Sequence, residues 1–271
     1  MADHRETNRL MLEDRRRRVL LVEDNEVNQA LAVAILAKLG YSAYVASNGR
    51  AAVAALADAA YGAVLMDCQL PVMDGYQATA EIRRREGTGR HTPIIAMTAD
   101  ALPGDRERCL AAGMDDYIAK PVLVADVQAV LSRWLGAEVT TPTVAGSAHW
   151  VESAAEVLDP DRLAELGEFD SPGNRSLIGR LAECFLARGP ADLADLRAAV
   201  QRGDATTVAQ IAHRLKGAAA ALGSAGLVNL CQELEALART DAVPPADDLL
   251  RRVEQEFDRV TSALDAAVGR R

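Results

Sequence analysis

"AVLMDCQLPVMDGYQA", residues 63–78, ends an apolar run on a carboxylate, Asp67, and follows it with Pro71 and Gly75. A chain able to bury Val64, Leu65 and Met66 has a physical reason to avoid a charge next, because an unpaired buried charge is costly. Asp67 must therefore be paired, bound to a cation, or set at a strand end to do chemistry. The residues around it decide.

From residue 18 to 135 short apolar runs alternate with helical patterns. "RVLLVE", "SAYVA", "GAVLMD", "PIIAMT" and "DYIAK" read as strands. Between and after them, helical patterns occupy "NEVNQALAVAILAKLG", "GRAAVAALADA" and the stretches near 75–86, 104–112 and 123–135. Five strand–helix units predict a parallel sheet with helices on both faces. The segment 136–158 gathers Thr, Ala, Gly and Pro and reads as a linker. Beyond it strand signals vanish. Helical patterns run through 160–168, 174–188, 190–202, 205–222, 225–240 and 245–267, with breaks at Gly173, Gly189-Pro190, Gly203, Gly223 and Pro244-Pro245. Short connections between amphipathic helices predict an antiparallel bundle. The expected organisation is a tail at 1–17, an α/β domain at 18–135, the linker, and a helical domain at 159–267.

With 271 residues, either half can bury a core of its own. A hydrophobic fraction of 49% and a charged fraction of 25% are those of a soluble globular protein. The net charge of −9 argues against nucleic-acid binding. Cys68, Cys109, Cys184 and Cys231 show no metal-ligand spacing and read as free thiols in a reducing cytoplasm. No run reaches the roughly 18 apolar residues needed to span a bilayer, and the N-terminus lacks a secretory core.

In an open parallel sheet, chemistry gathers outside the carboxyl ends of the strands. Those ends carry Glu23-Asp24, Asp67, Thr98 and Lys120-Pro121. Three converging carboxylates repel unless a cation joins them, and hard oxygen ligands suit Mg²⁺. A hydroxyl and an ammonium beside that cation complement an anion, with phosphate the obvious candidate.

With "LLVEDNEVNQ", "VLMDCQLPVMDGYQAT", "PIIAMTADA" and "GMDDYIAKPV" in order, residues 18–135 resemble the receiver domains of two-component signalling. The resemblance implies a flavodoxin-like, doubly wound sheet of order 2-1-3-4-5. It implies that Asp67 is the phosphoacceptor and that Glu23, Asp24, Asp67 and the backbone carbonyl of Gln69 bind Mg²⁺. Thr98 and Lys120 are then expected to contact the phosphoryl oxygens. Tyr117 matches the aromatic switch position, coupled to movement of Thr98. The Lys120–Pro121 bond is commonly cis in such domains.

In the second half, Val208, Ile211, Ala212, Leu215, Ala219 and Leu222 recur at helical spacing and define a buried stripe. His213 lies about 160–200° around the helix from Ile211 and Leu215, which predicts a solvent-facing imidazole. Lys216 and Gly217 share its face. "AHRLKGAAAALGSAGL" followed by "LCQELEALAR" resembles a histidine-phosphotransfer (HPt) domain over 159–267. That implies His213 as the phosphotransfer residue, Lys216 steadying the group, Gly217 opening the docking surface, and Glu235 orienting the imidazole.

Receiver followed by HPt is how many hybrid sensor histidine kinases end. The expected function is a phosphorelay intermediate. A sensor histidine kinase loads Asp67, and His213 passes the group to a downstream response regulator. The alternatives are a phosphate sink that drains a regulator by reverse transfer and hydrolysis, and a binding module toggled by phosphorylation. The sequence shows no ATP-binding kinase motif, and the expected location is cytoplasmic.

Overall fold

A computed structural model describes residues 15–87, 89, 91–98, 105–136, 157–170, 176–240 and 246–269. The tail residues 1–14, the linker residues 137–156 and the expected breaks at Gly173 and Pro244-Pro245 lie outside the described residues. The chain folds as two compact units.

Residues 18–135 alternate β1 (Arg18–Val22), α1 (Glu26–Lys38), β2 (Ser42–Ala46), α2 (Gly49–Asp58), β3 (Ala63–Asp67), α3 (Gly75–Glu86), β4 (Ile94–Thr98), α4 (Asp105–Ala111), β5 (Asp116–Ala119) and α5 (Val124–Leu135). All four strand pairings are parallel, in the order β2-β1-β3-β4-β5. This is the doubly wound, flavodoxin-like order. Every residue of β3 and β4 is buried, as expected of central parallel strands covered on both faces. Alternate side chains serve different cores. Leu20, Val22, Val64, Met66, Ile94 and Ala96 join residues of α2, α3 and α4 in one cluster. Val19, Leu21, Leu65, Ile95 and Met97 are equally buried and fall on the other face by the two-residue period.

At the strands' entry end a single arginine ties several elements together. Arg83 Nε donates to Gly113 O at 2.8 Å, Nη1 to Thr92 O at 3.0 Å, and Nη2 to Asp115 Oδ2 at 2.6 Å. Asp115 Oδ2 also accepts from the Ile94 amide at 2.7 Å. The network fixes where β4 and β5 begin, and therefore what their far ends deliver.

The second unit is all helix: α6 (Pro160–Gly167), α7 (Leu177–Arg202), α8 (Ala205–Leu222), α9 (Ala225–Arg239) and α10 (Ala246–Gly269). Local chemistry sets the ends. Asp204 accepts from the Thr207 amide at the start of α8, while Gly203 and Gly223 adopt the left-handed conformation that ends α7 and α8. Val208, Ile211, Ala212, Leu215, Ala219 and Leu222 are all buried.

One expectation is corrected here. Gly189-Pro190 does not separate two helices; α7 runs unbroken from Leu177 to Arg202 with Pro190 inside it. Proline removes one hydrogen bond of the helical ladder, but it does not abolish packing on either side. Phe185 stacks on Phe257 of α10, with ring centroids 4.8 Å apart. A Cβ on Gly189 would lie 2.3 Å from Phe257 Cζ. The glycine is there for close approach, not for a turn.

Gly189→Ala is therefore expected to destabilise the helical unit. Helix propensity alone favours alanine by about 1 kcal/mol, but overpacking a filled contact costs about 1–3 kcal/mol. Urea unfolding should show a net loss of stability. Adding Phe257→Leu should reverse the sign, so that alanine at 189 stabilises that background. A stabilising Gly189→Ala in the wild-type background would contradict the packing role.

Candidate functional site

The sheet brings the predicted strand-end residues together. Asp67 is the last residue of β3, opposite Met97, and is only 2% exposed. Glu23 and Asp24 follow β1, Thr98 ends β4, and Lys120 follows β5. One carboxylate oxygen from each of Glu23, Asp24 and Asp67 lies within 4.8 Å of the others. Lys120 Nζ sits 2.7 Å from Asp67 Oδ2 and 2.7 Å from Glu23 Oε2. Burial alone would push a lysine's pKa down, but Asp67 and Glu23 outweigh it and hold the ammonium above its ordinary value. The backbone also fixes Lys120: its amide donates to Thr98 O at 2.7 Å, and the Lys120–Pro121 peptide is cis.

The β3–α3 loop shapes the other side. The Gln69 amide donates to Asp67 Oδ1 at 3.1 Å, so each Asp67 oxygen has a different partner. The Met73 amide reaches Pro71 O at 2.7 Å with Val72 at φ 70°, a tight γ-turn. Asp74 caps α3 by accepting from the Gln77 amide at 2.7 Å. Gly75 explains the glycine of the opening motif: a Cβ there would lie 2.2 Å from Asp67 O. Only glycine lets α3 begin against the end of β3. Tyr117, on the edge strand β5, is 39% exposed.

The second constellation lies on α8 and α9. His213 Nδ1 is 3.1 Å from Glu235 Oε1, and Lys216 Nζ is 2.7 Å from Glu235 Oε2. Burial pushes the Glu235 carboxyl up, but the hydrogen bonds from His213 and Lys216 win and hold it below the usual carboxylate range. An ionised carboxylate can only accept, so Nδ1 carries a proton, and in the neutral ring the lone pair is on Nε2. The solvent-facing imidazole expected from helical spacing is corrected: the His213 side chain is 16% exposed. Its contact with Glu235, 22 residues away, draws it against α9.

Two further charged residues belong to this region. Arg239 Nη2 lies 3.7 Å from Glu235 Oε2, and its signal in the sequence is the i, i+4 spacing on α9. Asp192 is 3% exposed on α7 and receives Arg214 Nη2 at 2.7 Å, tying α7 to the residue after His213. Nothing local announces that pair, which joins residues 22 apart.

Comparison with known proteins follows the same division. Residues 19–132 match the model of the response regulator receiver domain, and residues 180–263 match that of the Hpt domain. Sensor protein GacS of Pseudomonas syringae pv. syringae is 32% identical over 253 residues, covering 92% of this chain and 27% of that protein. The chain thus spans about a quarter of the length of the GacS proteins it matches. Two-component response regulator ORR41 of Oryza sativa subsp. japonica is 45% identical over 121 residues, covering 43% of this chain and 93% of that protein. The receiver domain of sensor histidine kinase PA1611 from Pseudomonas aeruginosa PAO1, whose crystal structure has a magnesium ion in the active-site cleft, is 53% identical. It covers 45% of this chain and 98% of its own, with a TM-score of 0.42. Among the described residues no helix is long and apolar enough to cross a membrane. With both matches in chain order, the chain belongs to the two-component signalling proteins, as a response regulator receiver domain followed by an Hpt domain.

Proposed function

We propose that the chain is a phosphorelay intermediate. It accepts a phosphoryl group on Asp67 from a sensor histidine kinase and passes it through His213 to a downstream response regulator. The observation that carries this reading is the Lys120 ammonium held 2.7 Å from both Asp67 and Glu23 within a cluster of three carboxylates. A nucleophilic carboxylate with a fixed cation beside it is what phosphoryl transfer requires of a protein: positioning and charge neutralisation.

In the first step an Asp67 oxygen attacks phosphorus, the donor's P–N bond breaks, and an acyl phosphate forms. Lys120 and the Thr98 hydroxyl stabilise the equatorial oxygens. Glu23, Asp24 and Asp67 form a hard-oxygen donor set that fits Mg²⁺, and the Gln69 backbone carbonyl would complete it. When bound, the ion neutralises charge on the transferring group. Tyr117 reports the state of Thr98 as the switch aromatic.

In the second step His213 Nε2 attacks the acyl phosphate, and the bond from phosphorus to the Asp67 oxygen breaks. Glu235 holds the Nδ1 proton and stabilises the charge that develops on the ring. Lys216 pairs with the arriving phosphoryl group, and Gly217 leaves the docking surface without side-chain bulk. The same steps, run onto another receiver, complete delivery to the regulator.

Asp67→Asn is expected to abolish loading by acetyl phosphate with Mg²⁺, read as loss of the phosphoryl mass increment. His213→Gln should load normally but stop delivery to a cognate regulator in a time-resolved transfer assay. Unchanged loading in the first variant, or continued delivery by the second, would sink the assignment.

Glu235→Gln tests the second site separately. Its folded-state pKa lies below the ordinary 4.5, so its stabilising contribution is fully present above that value and is lost as pH falls through the folded pKa. The variant should be about 1–2 kcal/mol less stable than the wild type near pH 7, having lost charge-assisted hydrogen bonds. The gap should close below pH 4.5. A gap that stays constant across that window would remove the ionised Glu235 from the account.

A further inference from the structure

The receiver unit carries a second feature, away from the strand-end acids. A groove of about 720 Å³ runs between α2 and α3. Val53, Ala54, Met73 and Ala80 supply its apolar lining, and Arg50, Arg84 and Arg85 stand along it with Glu81 as the one acid. In a chain of net charge −9 the groove carries a local excess of cation.

The placement of the cations is specific. Helices α2 and α3 both follow parallel strands, so they run in the same direction, and the Gly49 amide bonded to Met73 O at 3.1 Å sets their starts side by side. Arg50 therefore stands near the start of the groove, while Arg84 and Arg85 stand at its far end. A Cβ on Gly49 would lie 2.8 Å from Ala78 Cβ, which sets Arg50 level with the first turn of α3, and Arg85 lies seven residues beyond Ala78, or about 10 Å at the usual rise per residue. At the far end Arg84 donates through Nε and Nη2 to both Glu81 oxygens, whereas Arg85 uses only Nε. Those bonds hold the Glu81 carboxyl down to about 2, so it stays ionised and neutralises only one of the two guanidiniums. One net cation remains at each end of an apolar trough.

We infer that this groove docks an acidic amphipathic helix of a partner protein. Carboxylates seven residues apart on such a helix are about 10 Å apart and meet the two cationic ends. Apolar residues three and four positions after the first carboxylate lie over Val53, Ala54 and Ala80. This is the helix-in-groove mode of recognition, with the charges fixing register and speeding encounter. The surface is separate from the phosphoryl-handling residues, so it selects a partner without taking part in the transfer.

The test uses the full chain and a stapled 20-residue helical peptide with Glu at i and i+7 and Leu at i+3 and i+4. Fluorescence anisotropy should show saturable binding that weakens at least tenfold in the double variant Arg50→Glu, Arg85→Glu. Replacing the two peptide glutamates by lysine should restore binding to that variant and lose it for the wild type. Ala80→Trp, which fills the trough without changing charge, should also weaken binding at least tenfold. Loading of Asp67 by acetyl phosphate should be unchanged in all variants, which shows that the receiver remains folded. The proposal is overturned if the peptide does not saturate, if a scrambled peptide binds equally, if Ala80→Trp has no effect, or if millimolar citrate displaces the peptide completely. The last result would mark a site for small anions only.

Discussion

The first unit depends on one ammonium. Three carboxylates whose oxygens approach within 4.8 Å would repel one another strongly in a site shielded from water. The parallel sheet forces this approach, because adjacent strand ends deliver Glu23, Asp24 and Asp67 to the same place. Lys120, 10% exposed and bonded to two of the three, is the compensating charge. Its position follows from β5 pairing with β4, whose Thr98 carbonyl takes the Lys120 amide. At the opposite end, Arg83 sets where those strands start. The placement of the site is thus a consequence of sheet register.

The helical unit solves a related problem with different parts. A carboxylate and a lysine are again paired at 2.7 Å, but here the proposed nucleophile is a third group, the imidazole. Glu235 therefore does two jobs at once: it neutralises Lys216 and assigns the His213 tautomer. In the receiver the carboxylate that meets the lysine is itself the proposed nucleophile. An acyl phosphate and a phosphohistidine are both reactive, so neither site has to supply much driving force for exchange between them. What each supplies, on the proposed reading, is a fixed nucleophile with a cation close by.

Much of this was legible in the sequence because it follows from local period and strand order. Asp67, Thr98 and Lys120 could be placed at a common edge once the apolar runs were read as parallel strands. Gly75 stood out for its place in the motif, and its reason is the 2.2 Å approach to the Asp67 carbonyl. The misreadings share a cause. Gly189-Pro190 looks like a break to any local rule, yet Phe257, far along the chain, packs where a side chain would be. His213 has a solvent-facing angle on its own helix, yet Glu235 on the next draws it in. The Asp192–Arg214 pair carries no local signal at all. Contacts between helices are set by side chains distant in sequence, and the period of one helix cannot reveal them.

On the proposed reading, the phosphoryl group moves between Asp67 and His213. The most direct measurement is a rapid-quench time course after mixing the chain with radiolabelled acetyl phosphate and Mg²⁺. Each quenched sample is divided between alkali, which hydrolyses acyl phosphate, and acid, which hydrolyses phosphohistidine. Alkali-labile label should appear first, followed by alkali-stable label on His213 that rises as the first declines and is absent from Asp67→Asn. Alkali-stable label appearing on Asp67→Asn at the wild-type rate would contradict that reading.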